Sequence, residues 1–157
     1  QQAQRDTALA DFFRLVDTAS EGFNRLQEAR KTVKLVDQQM VHAVDSTKKQ
    51  IADLGKAMVD SIDTIMEVYT LPEDAKGTDS VTPTLNRSLY RASSFLYDAP
   101  GEPGQNAQHA VALARDGVEE VLAQINRFFA TDWEAYQEAV EAVEAPLFES
   151  YEAIQLE

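Results

Sequence analysis

The sequence predicts an all-α protein, an antiparallel bundle of four to five helices with the first two long. Two observations carry this. Apolar residues recur at steps of three and four over most of the 157 residues, which lines one helix face and does not fit the alternation of a strand. The six Gly and five Pro fall mostly within 71–83 and 99–104, leaving long stretches without helix breakers. A chain of this length with 44% hydrophobic residues can bury one sizeable core, so residues 1–157 are expected to form a single domain.

The first helix is predicted from about Thr7 to Val44. Its apolar stripe runs Leu9, Phe12, Val16, Ala19, Phe23, Leu26, Ala29, Val33, Val36, Met40, Val44. Asp6 or Thr7 is the expected N-cap. Arg30 falls where a strict heptad calls for an apolar residue, so the stripe is expected to slip by one position there. The second helix is predicted over about Ser46–Tyr69, with Ile51, Leu54, Met58, Ile62, Ile65 and Tyr69 on one face. A turn near His42–Ser46 separates the two, since Asp45 and Ser46 are good N-cap types. One continuous helix is the alternative, because residues 41–47 hold no Gly or Pro.

Residues 70–83 read as a loop ended by Thr82-Pro83, a strong helix start. The third helix follows to about Leu96 with Leu85, Leu89, Ala92 and Leu96 inward. The run from Asp98 to Gly104 stops it. The fourth, about Gln105–Phe129, carries Ala107, Val111, Ala114, Val118, Val121, Ile125 and Phe128 in strict 4-3 alternation. Thr131-x-x-Glu134 reads as a capping box and places a bend near Ala130. The last helix, with Trp133, Tyr136, Val140 and Val143, is expected to end before Pro146, with Leu147, Phe148 and Tyr151 folding back onto the bundle.

Composition excludes several function classes. The net charge of −13 opposes nucleic-acid phosphates and anionic lipid headgroups. Without cysteine there is no disulfide, thiolate metal site or thiol catalysis. No apolar run is long enough to span a membrane. The start at Gln1-Gln2, without Met or a signal-like region, reads as a segment of a larger protein.

No catalytic, cofactor or metal site is expected. The two histidines, His42 and His109, stand three residues after Gln39 and Asn106, so the Glu-x-x-His pair of a di-metal bundle is missing. No serine sits in a Gly-x-Ser-x-Gly turn. The acids of the last two helices, Glu119, Glu120, Glu134, Glu138, Glu141 and Glu144, read as a solvated face. Facing carboxylates across a cleft are what glycosidic chemistry would need. Asn86-Arg87-Ser88 matches the glycosylation triplet but lies on a helix.

The aromatic cluster at the last bend offers two readings. Phe128, Phe129, Trp133 and Tyr136 pack the bend, with Trp133 substantially buried; or Phe129, Trp133 and Tyr136 form a docking surface. Phe12-Phe13 and Phe95-Leu96-Tyr97 place adjacent bulky residues on more than one helix face. This implies burial on two sides or an exposed patch.

The stretches Phe23-Asn-Arg-Leu-Gln-Glu-Ala-Arg30, Tyr69-Thr-Leu-Pro-Glu-Asp-Ala-Lys-Gly77 and Ile125-Asn-Arg-Phe-Phe-Ala-Thr-Asp-Trp-Glu-Ala-Tyr136 resemble the helical C-terminal region of large bacterial proteins. Those proteins carry sortilin-type Asp-box (BNR) repeat β-propellers and are often labelled glycosyl-hydrolase-like. The resemblance implies an exported protein whose propeller carries any substrate site. The Asp-box motif does not occur in this chain, so no catalytic residue is carried over. The expectation is a non-catalytic accessory or interaction domain, its partners being other domains of the same polypeptide or a separate protein. The alternative is a free-standing helical binding or sensor module for a peptide or small ligand.

Overall fold

The computed structural model describes residues 2–70, 84–98, 101–146, 148–149 and 151–156. Five α-helices, and no strand among these residues, build the fold: α1 (Gln2–Gln39), α2 (Asp45–Met66), α3 (Leu85–Asp98), α4 (Gln105–Ala130) and α5 (Asp132–Glu141). The all-α bundle is as the sequence predicts. The described residues contain no helix long and apolar enough to cross a membrane.

The helices line up as three antiparallel rods. The first is α1, 38 residues long and on the order of 55 Å from end to end. A single 3-10 turn, Met40–His42, and extended backbone at Ala43 and Val44 reverse the chain into α2. The turn is therefore real. Its start, however, is not capped by Asp45 or Ser46: Val44 occupies the N-cap, without a side-chain hydrogen bond.

The second rod is α2 followed by α3. The Leu85 and Asn86 N–H groups donate to the carbonyls of Val68 and Tyr69 at 2.9 and 3.2 Å. The first free donors of α3 are thus satisfied by carbonyls of the turn that follows α2. Arg87 N–H donates to Thr84 Oγ1 at 3.3 Å, so Thr84 supplies the side-chain cap. The predicted loop between the helices and its Thr82-Pro83 stop lie outside the described residues. At the far end, Arg5 Nη2 donates to the Tyr97 carbonyl at 3.2 Å, which sets α3 antiparallel to the start of α1.

The third rod, α4 then α5, runs parallel to α1. A Cβ placed on Gly22 would lie 2.8 Å from Ile125 Cδ1, and one placed on Gly55 would lie 2.9 Å from Val33 Cγ1 and 3.5 Å from Tyr136 Oη. Ile125 and Tyr136 therefore sit level with positions 22 and 33 of α1, in equal steps. Both glycines are demanded by close approach, the usual reason a glycine persists inside a packed helix.

Apart from the hydroxyls of Tyr69 and Tyr136, the core side chains are apolar among the described residues. Leu26, Ile51, Ile62, Val118 and Val121 are its most enclosed large side chains, each worth about 1.5–3 kcal/mol of transfer free energy. In α1 the buried line is Phe12, Leu15, Ala19, Gly22, Leu26, Ala29, Val33, Val36 and on to Met40. That is an unbroken 3-4 alternation, so the slip expected at Arg30 does not occur. The predicted stripe follows Val16 and Phe23, which are half-buried, in place of Leu15 and Gly22. Arg30 instead points out to an ion pair with Asp63 of α2.

Other boundaries shift. The first helix begins at Gln2, not near Thr7. The Thr7 hydroxyl donates back to the Ala3 carbonyl at 2.9 Å and caps nothing. Val44 is exposed and leaves the stripe. In α4, Ala110 is buried and Val111 half-buried; the rest of the seam is as predicted. The break after Ala130 is present. Thr131, though, makes no capping bond, because its hydroxyl donates backward to the Arg127 carbonyl at 2.7 Å. The last helix stops at Glu141, and Phe148 and Tyr151 do not fold back: both are fully exposed.

Candidate functional site

The break at Thr131 produces the site. Restarting the helix at Asp132 keeps the aromatic residues on both sides of the joint in contact. Phe128 and Phe129 meet edge to face at 5.1 Å, Phe129 and Trp133 at 6.0 Å, and Trp133 and Tyr136 lie 5.4 Å apart. Phe128 and Tyr136 are buried, whereas Phe129 and Trp133 are only half-covered. Trp133 packs against the core without being fully enclosed.

Phe129 and Trp133 form one wall of an open groove of about 850 Å³ between α1 and the α4–α5 joint. Ala29 and Thr32 of α1 face them, and Asp17, Glu21, Arg25 and Glu28 line the rim. Arg25 is paired with Glu21 at 2.7 Å and Lys31 with Glu28 at 3.1 Å. These pairs lie in solvent and contribute little to stability. The groove therefore offers two aromatic faces, amide and hydroxyl groups and an acidic edge.

Tyr136 does not belong to this surface, which corrects one of the three expected docking residues. It turns inward, buried, with its hydroxyl 3.5 Å from where a Cβ on Gly55 would lie. Its hydroxyl has no hydrogen-bond partner among the described residues. Burial, and then the nearby Asp37 carboxylate, push the phenol up to about 12. Burial likewise raises Asp37 above the usual carboxylate range.

A second groove, of about 320 Å³, lies between α3 and α4. No sequence motif marks it. Arg87, Arg91 and His109 line it together with Phe95 and Leu113, and no carboxylate does among the described residues. The Arg91 guanidinium stands 5.7 Å from the centre of the Phe95 ring. The Phe95-Leu96-Tyr97 triplet resolves accordingly: Leu96 is buried, Phe95 edges the groove, and Tyr97 is exposed against Phe13 at 6.5 Å. No group of three or more His, Cys, Asp or Glu with metal-binding geometry is found among the described residues.

Fold and grooves together define an acidic all-α bundle whose distinctive surface is apolar and concave. No protein-family model, curated protein or solved structure matches the chain.

Proposed function

We propose that this chain is a non-catalytic helical interaction domain, accessory to an exported β-propeller protein, and that the groove between α1 and the α4–α5 joint receives its partner. The observation that supports this is the half-covered pair Phe129 and Trp133. Aromatic side chains left partly exposed in a concavity are typical anchors for a partner. The propeller as occupant rests on the sequence resemblance, whose best-matched stretch contains both residues.

The groove volume, about 850 Å³, falls within the range of small-ligand sites. That favours a second reading, a free-standing binding or sensor module for a peptide or small ligand. A photo-crosslinking residue at Asn126, on the groove wall, separates the two when placed in the native full-length gene product. Cross-links to Asp-box repeats of the same polypeptide support the accessory domain. Cross-links to a separate peptide or small molecule favour the module. A yield no higher than at exposed Lys49 on α2 would remove the groove from consideration.

A further inference from the structure

We infer that the α3–α4 groove is a self-association site that takes the C-terminal segment of a second copy of this chain. Two independent features of the molecule fit each other.

The first is charge. In a chain of net charge −13, residues 84–97 and 103–115 contain three Arg and one His and not one Asp or Glu. Of these residues Arg87, Arg91 and His109 line the α3–α4 groove, while Arg115 lies on another face of α4. Arg91 gives it a cationic edge beside His109, and Phe95 and Leu113 form its apolar floor, Leu113 being 52% exposed. An occupant matched to this surface is acidic and carries large apolar side chains.

The second is the segment beyond α5. Residues 144–157 carry four Glu and no Lys, Arg or His. Phe148, Tyr151, Ile154 and Leu156 in it are 84–102% exposed. Four large apolar side chains in a row with no covering are unusual unless they serve an interface. Two helical turns would bring Phe148, Tyr151 and Ile154 toward a common face with Glu149 and Glu152 beside them, the pattern of a helix laid in a groove.

Phe148 and Tyr151 cannot reach their own groove. His109 precedes Glu141 by 32 residues along the α4–α5 rod, about 48 Å at helical rise. Tyr151 lies ten residues past Glu141 and reaches at most about 33–36 Å even when fully extended. Groove and segment thus occupy opposite ends of the rod. Two copies laid antiparallel bring each segment to the other's groove, and this reciprocal exchange closes a two-fold dimer.

Sedimentation equilibrium on the full chain tests this. The expected result is a mass rising with concentration from 17.5 kDa toward twice that value. Arg91→Glu and Tyr151→Ser should each weaken dimerisation by about tenfold or more. Both side chains lie outside the core, so circular dichroism and melting should be unchanged. Arg91→Glu combined with Glu149→Arg and Glu152→Arg should restore association. A monomer at every concentration overturns the inference, and so does a dimer that neither single variant weakens.

Discussion

The Tyr69 hydroxyl donates to the Ala19 carbonyl at 2.8 Å, tying the end of α2 to the middle of α1 across the core. The same hydroxyl would meet a Cβ on Gly22 at 3.0 Å. One phenol thus explains both a hydrogen bond between rods and a glycine.

The two buried tyrosines should respond oppositely to loss of the hydroxyl. Tyr69→Phe removes a satisfied buried bond and should cost about 0.5–1.5 kcal/mol. Tyr136→Phe removes a hydroxyl without a partner, and should leave stability unchanged or raise it by roughly 1 kcal/mol. Urea midpoints of the two variants, compared with wild type, decide this. Equal losses would show that Tyr136 has a partner.

Both phenols are raised to about 12 in the folded protein from an ordinary value of 10.0. A group whose pKa is higher folded than unfolded contributes stability that is complete below the unfolded value. That contribution is lost as pH rises through the folded value. Stability should therefore fall between about pH 10 and 12, by roughly 2–3 kcal/mol per phenol. Denaturant midpoints across that range in wild type and Tyr136→Phe provide the check, with the variant losing less.

Val121 is fully enclosed at the α4 seam. Val121→Asp places an unpaired charge there and should cost at least about 3 kcal/mol. Gly22→Val, which drives side-chain atoms into Ile125 and Tyr69, should cost about 1–3 kcal/mol through overpacking. A thermal melt within ~0.5 kcal/mol of wild type for either would contradict the rod register.

Thr131→Ala should have little effect. The capping-box pattern implies a loss of about 1 kcal/mol. In the structure the hydroxyl bonds backward to Arg127 and is exposed, so a change within about 0.5 kcal/mol is expected from melting.

The Thr131 case shows where sequence reading works and where it stops. Helix number, the turn after Met40 and the α4 seam were legible because burial of an apolar face follows a fixed period. Gly22 and Gly55 were not, because a glycine's role depends on which side chain of another rod arrives beside it. The same holds for the site. Phe129 and Trp133 stood out as large aromatics near a break, but whether Tyr136 joined them depended on how α5 packs against the other rods. The α3–α4 groove stayed hidden because Arg87, Arg91 and His109 are ordinary surface residues until two helices bring them together.

The hydrogen bonds from Leu85 and Asn86 to the turn after α2 have an evolutionary consequence. They clamp the two ends of the fifteen residues between Tyr69 and Leu85, so the helical line is spliced from α2 to α3 by backbone bonds. Lengthening such a connection costs little, about 0.6 kcal/mol for each doubling of its length. This is therefore the point in the bundle where a lineage can add or remove sequence, even a whole inserted domain, without disturbing the register of the three rods.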